Sequence, residues 1–152
     1  MVEEKIKELG YEIPEAPKPL AAYIPALKVG DLIYTAGQLP SIKGKLKHIG
    51  KVGSDLTIEQ GANAAEICAM NCLSVIRSLI GNLDKVDQVV KLTVFVNSSD
   101  YFTDQPKVAN GASELLGKIF GDKGKHVRSA VGVNELPLNS PVEIEMIVKI
   151  KV

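Results

Sequence analysis

The sequence contains no tryptophan, four tyrosines and three phenylalanines, and only two cysteines and two histidines in 152 residues. So few aromatics give unpaired bases little to stack on, which weighs against a platform for single-stranded nucleic acid. The two thiols, Cys68 and Cys72, stand four residues apart in a strongly helical stretch. One helix holds such a pair poorly for a disulfide, and with His48 and His126 as the only imidazoles a metal site lacks further ligands. The pair reads as two small thiols buried in a core helix, with no metal expected. An excess of either charge is missing too. The 18 basic residues match the 18 acidic ones, so no global field draws in nucleic acid or an anionic membrane. No apolar run approaches the roughly 18 residues of a spanning helix. The first ten residues carry charges throughout and make no signal-peptide core. The expected location is therefore cytoplasmic, with no membrane partner.

What is present is a globular composition, 45% hydrophobic and 24% charged, which excludes global disorder. The length fits one domain spanning 1–152, long enough to bury roughly 68–70% of the unfolded surface. Residues 1–22 read as a preface to it. Val2, Ile6 and Leu9, stopped by Gly10, predict a short helix, and Pro14, Pro17, Pro19 and Pro25 predict an extended arm over 11–25. Ile24–Leu27 and Leu32–Gln38 read as strands around a Gly30-Asp31 turn. Residues 40–55 read as an irregular loop with a short strand near Leu46. Thr57 and Gln60 form a capping box ahead of an apolar stripe that Gly81 ends. Val86–Val96 predicts a long central strand. Pro106 suits the first turn of a second amphipathic helix ending at Gly121. His126–Val133 and Val142–Val152 are the last strands. In the final one, Ile144, Met146, Val148 and Ile150 point one way and Glu143, Glu145, Ile147, Lys149 and Lys151 the other.

The order β-β-α-β-α-β-β predicts an α+β fold with two helices on one face of a mixed sheet. The bare face is expected to carry Arg128, Ala130 and Gly132 from one strand and Glu143 and Ile147 from another. That mixture is too polar for a core and too apolar for water, which predicts a homo-oligomer packed sheet to sheet.

The most chemically suggestive segment is His126–Val133. Arg128 is followed on its own face by small residues, leaving room for a carboxylate against its planar fork. Glu143 is the nearest acidic partner if the last two strands pair. A structural Arg–Glu pair at an interface is the competing reading. No Gly-x-Ser-x-Gly elbow and no glycine-rich phosphate loop occurs. Lys43, Lys45, Lys47, His48 and Lys51 lack interleaved aromatics and read as a solvated loop. Tyr23, in the arm, reads alone as a packing residue.

Several segments together resemble the RidA/YjgF family, also called the endoribonuclease L-PSP family. They are Tyr34-Thr35-Ala36-Gly37-Gln38-Leu39-Pro40, Val90–Val96, Arg128-Ser129-Ala130-Val131-Gly132-Val133, Glu135-Leu136-Pro137 and Val142-Glu143-Ile144-Glu145. The likeness runs from Tyr23 to the C-terminus. The long N-terminal arm, the expanded 40–55 loop and Ala109–Ser113 point to a RidA-like subgroup. The resemblance implies a chorismate-mutase-like fold, a homotrimer and three sites between subunits. It implies hydrolysis of 2-imino or enamine acids, of the 2-aminoacrylate and 2-iminobutanoate type, to 2-keto acids and ammonia, without cofactor or metal. By the same resemblance, Arg128 grips the substrate carboxylate and Glu143 positions or activates water. Tyr23, Gly37, Asn110 and Ala130 line the cleft. Ala36 stands where a serine is usual, and Ala130 where a cysteine is frequent. Two rivals remain: a non-catalytic trimer that binds a small carboxylate for regulation, and an RNA-cleaving translation inhibitor. Zero net charge and scarce aromatics weigh against the second.

Overall fold

The computed structural model describes residues 1–16 and 22–152. Local signals set most of its elements. After helix α1 (Val2–Glu8), strands β1 (Ala26–Val29) and β2 (Leu32–Thr35) pair antiparallel with Val29 opposite Leu32. Gly30 takes φ +62° in the turn between them, a conformation that favours glycine. The expected loop contains a small hairpin, β3 (Ser41–Ile42) and β4 (Lys45–Leu46). Helix α2 (Ile58–Ile80) opens on the Thr57/Gln60 capping box, with Gln60 N–H donating to Thr57 Oγ1 and Thr57 N–H to Gln60 Oε1. Strand β5 (Val86–Asn97), helix α3 (Gln105–Phe120), strand β6 (Val127–Val133) and strand β7 (Val142–Ile150) complete the order. Of the proline-rich arm, residues 17–21 lie outside the described residues. Its first part, to Ala16, runs over α2, where Ser74 Oγ donates to Pro14 O at 2.6 Å and Tyr11 OH to Glu66 Oε2 at 3.0 Å.

The main sheet has the order β1-β2-β7-β5-β6. Its pairs are antiparallel except β5 with β6, which run parallel. A parallel pair needs a crossover, and α3 supplies it. This corrects the pairing expected of the last two strands: β6 and β7 are not neighbours, because β5 lies between them.

Both helices cover one face. Leu92, Val94 and Val96 of β5 and Val142, Ile144, Met146 and Val148 of β7 are buried beneath them. The two cysteines tie the layers together. Cys68 Sγ donates to Val142 O at 3.6 Å and Cys72 Sγ to Ile144 O at 3.4 Å. Four helical residues rise about 6 Å and two strand residues about 6.6 Å, so the i,i+4 thiols match alternate carbonyls of β7. Burial, the largest cause, pushes the Cys72 thiol up to about 12 and the Cys68 thiol well above its ordinary range.

The helices also meet closely. A Cβ added to Gly111 of α3 would stand 2.1 Å from the Ala62 carbonyl oxygen of α2. Glycine inside a helix ordinarily costs about 1 kcal/mol relative to alanine; here the neighbouring backbone requires it.

Two outcomes are expected. Iodoacetamide should leave Cys68 and Cys72 unmodified in the folded protein and alkylate both in guanidinium chloride; native labelling at the rate of a free thiol would overturn their buried placement. Gly111→Ala should destabilise the fold by about 1–3 kcal/mol through overpacking, a drop in Tm of roughly 5 °C by thermal denaturation, against the gain that helix propensity alone would give.

Candidate active site

Strand register decides where the expected site residues point. Arg128 pairs with Leu92, Ala130 with Val94 and Gly132 with Val96, and these β5 partners lie in the core. Register partners share a face, so Arg128, Ala130 and Gly132 face the helix layer, not the bare face expected for them. The reason is topological: β6 enters parallel beside β5 as the sheet edge, and its inward side meets α3 rather than open solvent. Asn110 and Ser113, three apart on α3, receive the arginine. Arg128 Nη1 donates to Asn110 Oδ1 at 2.9 Å and to Ser113 Oγ at 3.0 Å, and Nη2 reaches Pro106 O at 3.5 Å. Both Nη1 hydrogens are thereby used. The Nε–H has no acceptor among the described residues, and Nη2 keeps one hydrogen beyond its long contact to Pro106 O. Ser113 Oγ also lies 2.9 Å from His126 Nε2, and His126 Nδ1 lies 2.6 Å from Gly124 O. A shallow pocket of about 320 Å³ opens here, lined by Ser113, Gly117, Gly124, Lys125, His126 and Arg128.

Glu143 occupies the other face. It pairs with Phe95 of β5, and alternation puts it beside Glu145 and Ile147 on the bare side of β7. Beyond β2, Gln38 and Ile144 exchange both backbone hydrogen bonds, at 2.8 and 3.1 Å. That bridge carries Gly37 to Glu143, so closely that an added Cβ would stand 2.5 Å from Oε2. The carboxylate is half-buried. Burial first, and the like charge of Glu145 second, push its pKa above the ordinary glutamate value of 4.5.

The expected residues therefore fall into two groups. Arg128, Asn110 and Ala130 gather at the α3–β6 edge, and Glu143 and Gly37 gather on the bare sheet face. Arg128 and Glu143 do not meet within one chain. Tyr23 is 68% exposed, two residues before Pro25, whose carbonyl accepts from Ala36 N–H at 2.8 Å. Ser113 and His126 were not singled out as site residues from the sequence. The i,i+3 spacing of Asn110 and Ser113 within Ala109–Ser113 was the available signal. Among the described residues no group of three or more His, Cys, Asp or Glu converges as a metal site, and no helix is long and apolar enough to cross a membrane.

Residues 3–150 match the family model described as "YjgF/chorismate mutase-like, putative endoribonuclease". The chain belongs to this family. Protein TCP17 of Trypanosoma cruzi is 40% identical over 150 residues, covering 98% of this chain and 94% of that protein. A 2-iminobutanoate/2-iminopropanoate deaminase of Dermatophagoides farinae is 30% identical over 139 residues, covering 91% of this chain and 93% of that protein. The crystal structure of Atu1372, a protein of unknown function from Agrobacterium tumefaciens, superposes with a TM-score of 0.93 at 42% identity, covering 99% of this chain and 92% of that one. The YjgF/chorismate-mutase-like fold is thus the one the resemblance implied, and its two helices on one face of a mixed sheet are those the residue pattern predicted.

The raised carboxyl has a direct test. A carboxyl pKa above 4.5 keeps the proton to higher pH than an ordinary glutamate, so Glu143 becomes a base only above that point. NMR titration of its side-chain carboxyl is expected to give a midpoint above 4.5, moving down in Glu145→Gln as one of the two causes is removed. A midpoint at or below 4.5 would overturn the half-buried, unpaired placement.

Proposed function

We propose that the protein hydrolyses reactive 2-imino and enamine acids to 2-keto acids and ammonia, as a homotrimer with its sites between subunits. The observation that carries this reading is the separation of Arg128 from Glu143. One chain presents a carboxylate-sized fork at its α3–β6 edge and, on its bare face, a half-buried carboxyl with no partner among the described residues. A second copy whose bare face lies against that edge brings the two together. The bare face offers contact area for such a copy, with Tyr34 and Val131 exposed and Phe95 and Ile147 half-buried. The deaminase name of the mite relative supports the reaction class.

The chemistry follows from these groups. Arg128 binds the substrate carboxylate side-on through Nε–H and Nη2–H, which fixes the imine carbon. Glu143 takes a proton from water as the water oxygen bonds to that carbon, giving a tetrahedral carbinolamine. Glu143 returns that proton to the nitrogen and takes the hydroxyl hydrogen as the C–N bond breaks, so a C=O forms and ammonia leaves; an enamine enters the same sequence after a proton from water adds to its terminal carbon, giving the protonated imine. Atoms balance with one water consumed, and the reaction calls for no redox partner. Burial and the Glu145 charge raise the Glu143 pKa above the ordinary value, which makes its carboxylate a stronger base than a free glutamate. A second reading, a non-catalytic trimer holding a small carboxylate, draws on Ala36 and Ala130, whose methyl groups offer no donor beside either half of the site. RNA cleavage is disfavoured by the zero net charge.

The deciding measurement is ammonia release from 2-aminoacrylate generated in situ. Arg128→Lys should lower kcat/KM about 10-fold or more, since lysine keeps the charge but loses the fork. Glu143→Gln should lower turnover about 100-fold or more while 2-keto acid binding persists. Co-refolding Arg128→Ala with Glu143→Gln in equal amounts should restore about one quarter of wild-type activity, because one interface in four then joins an intact arginine to an intact glutamate. No recovery, in a protein that light scattering shows to be a trimer, would overturn the divided site; a monomer would do the same. Keto-acid binding without turnover in the wild type would transfer the function to the second reading.

A further inference from the structure

We infer that Ser113 and His126 are positioning residues that set the carboxylate affinity of Arg128 through a one-way hydrogen-bond chain ending on the Gly124 carbonyl. The inference rests on the reading of Arg128 as a carboxylate anchor and adds the device that aims it.

The direction of the chain is forced at each link. Gly124 O can only accept, so the His126 Nδ1 facing it at 2.6 Å carries the hydrogen. In the neutral ring Nε2 is then an acceptor, and the Ser113 hydroxyl 2.9 Å away donates to it. With its hydrogen spent, Ser113 Oγ turns a lone pair to Arg128 Nη1 at 3.0 Å. Nη1 gives its other hydrogen to Asn110 Oδ1 at 2.9 Å. Donors all run one way, from guanidinium to backbone, and bonds aligned like this polarise one another.

The chain leaves the guanidinium one orientation. Two acceptors grip a single nitrogen, so rotation of the plane breaks both bonds at once. A pocket of about 320 Å³ lined in part by Ser113, His126 and Arg128 opens beside the guanidinium so held. A merely structural arginine would spread its donors over carbonyls and carboxylates on every side. Here no acidic side chain pairs with it among the described residues, and two of its three acceptors are side chains of one helix, α3. Their placement serves the arginine. Holding a flexible cation in its bound geometry before the ligand arrives reduces the entropy lost on binding.

The test is calorimetric affinity for 2-oxobutanoate, with deaminase kinetics on the same preparations. Ser113→Ala and His126→Leu should each weaken binding about 5- to 10-fold, and the double variant should be no weaker than the poorer single one, since both break one chain. His126→Gln, whose amide oxygen can accept from Ser113, should keep most of the affinity. In the kinetics, KM should rise with kcat nearly unchanged, because the carboxylate is held alike in ground and transition states. Losses that add, or full affinity in Ser113→Ala and His126→Leu, would overturn the inference. If His126→Leu fails to fold, His126→Gln decides: a loss equal to that of Ser113→Ala overturns the chain, and retained affinity supports it. A wild type that binds 2-oxobutanoate without turning over 2-aminoacrylate ends the deaminase reading and leaves the chain to be judged on affinities. A wild type that binds no 2-keto acid overturns both.

Discussion

The approach of two backbones at Gly111 and Ala62 governs much else in this molecule. With no side chain between them, α3 sits close against α2, and α2 is fixed to β7 by the thiols of Cys68 and Cys72. The position of α3 therefore refers back to the sheet through one close backbone approach and two buried thiols. Asn110 and Ser113 flank the glycine on the part of the helix turned toward β6, and both hold Arg128. An alanine at 111 would push the helix outward, and the guanidinium would follow its two acceptors. A packing constraint and the placement of Arg128 are thus one feature, and the close approach explains a glycine at a helix position where propensity disfavours it.

Local chemistry made the elements legible and left their assembly obscure. Thr57 with Gln60 marked the start of α2, Gly81 and Gly121 the helix ends, and Gly30-Asp31 the first hairpin, because each signal is satisfied within a few residues. The faces of β7 were legible because a buried apolar set alternates with a charged one. On β6 no such alternation exists: Val127, Ser129 and Val131 are exposed, while Arg128 and Ala130 are half-buried. Expecting β6 to lie beside β7 put Arg128 on the wrong face. Nothing near Arg128 states that β6 pairs with β5, since that is set by the crossover through α3. The same fact hides Ser113 and His126, which matter only once α3 is known to cross β6. The family resemblance named Arg128 and Glu143, yet it carried no information on which faces they take.

Placing these two groups on opposite faces has an electrostatic consequence. A carboxylate beside a guanidinium is stabilised in its charged form, its pKa falls, and it becomes a poor base. Within one chain Glu143 instead has burial and the Glu145 carboxylate around it, both of which raise its pKa. The fold keeps Arg128 away from Glu143 within the chain. In the proposed trimer the two approach only across an interface, and there the substrate carboxylate takes the Nε–Nη2 edge of Arg128. The ligand's negative charge then offsets the cation in front of Glu143, so the base regains its proton affinity when the imine is in place. Side by side on adjacent strands, the two residues would form an ion pair within each chain, whatever its neighbours. The register of β5 against β6 and β7 prevents that pair from forming within the chain.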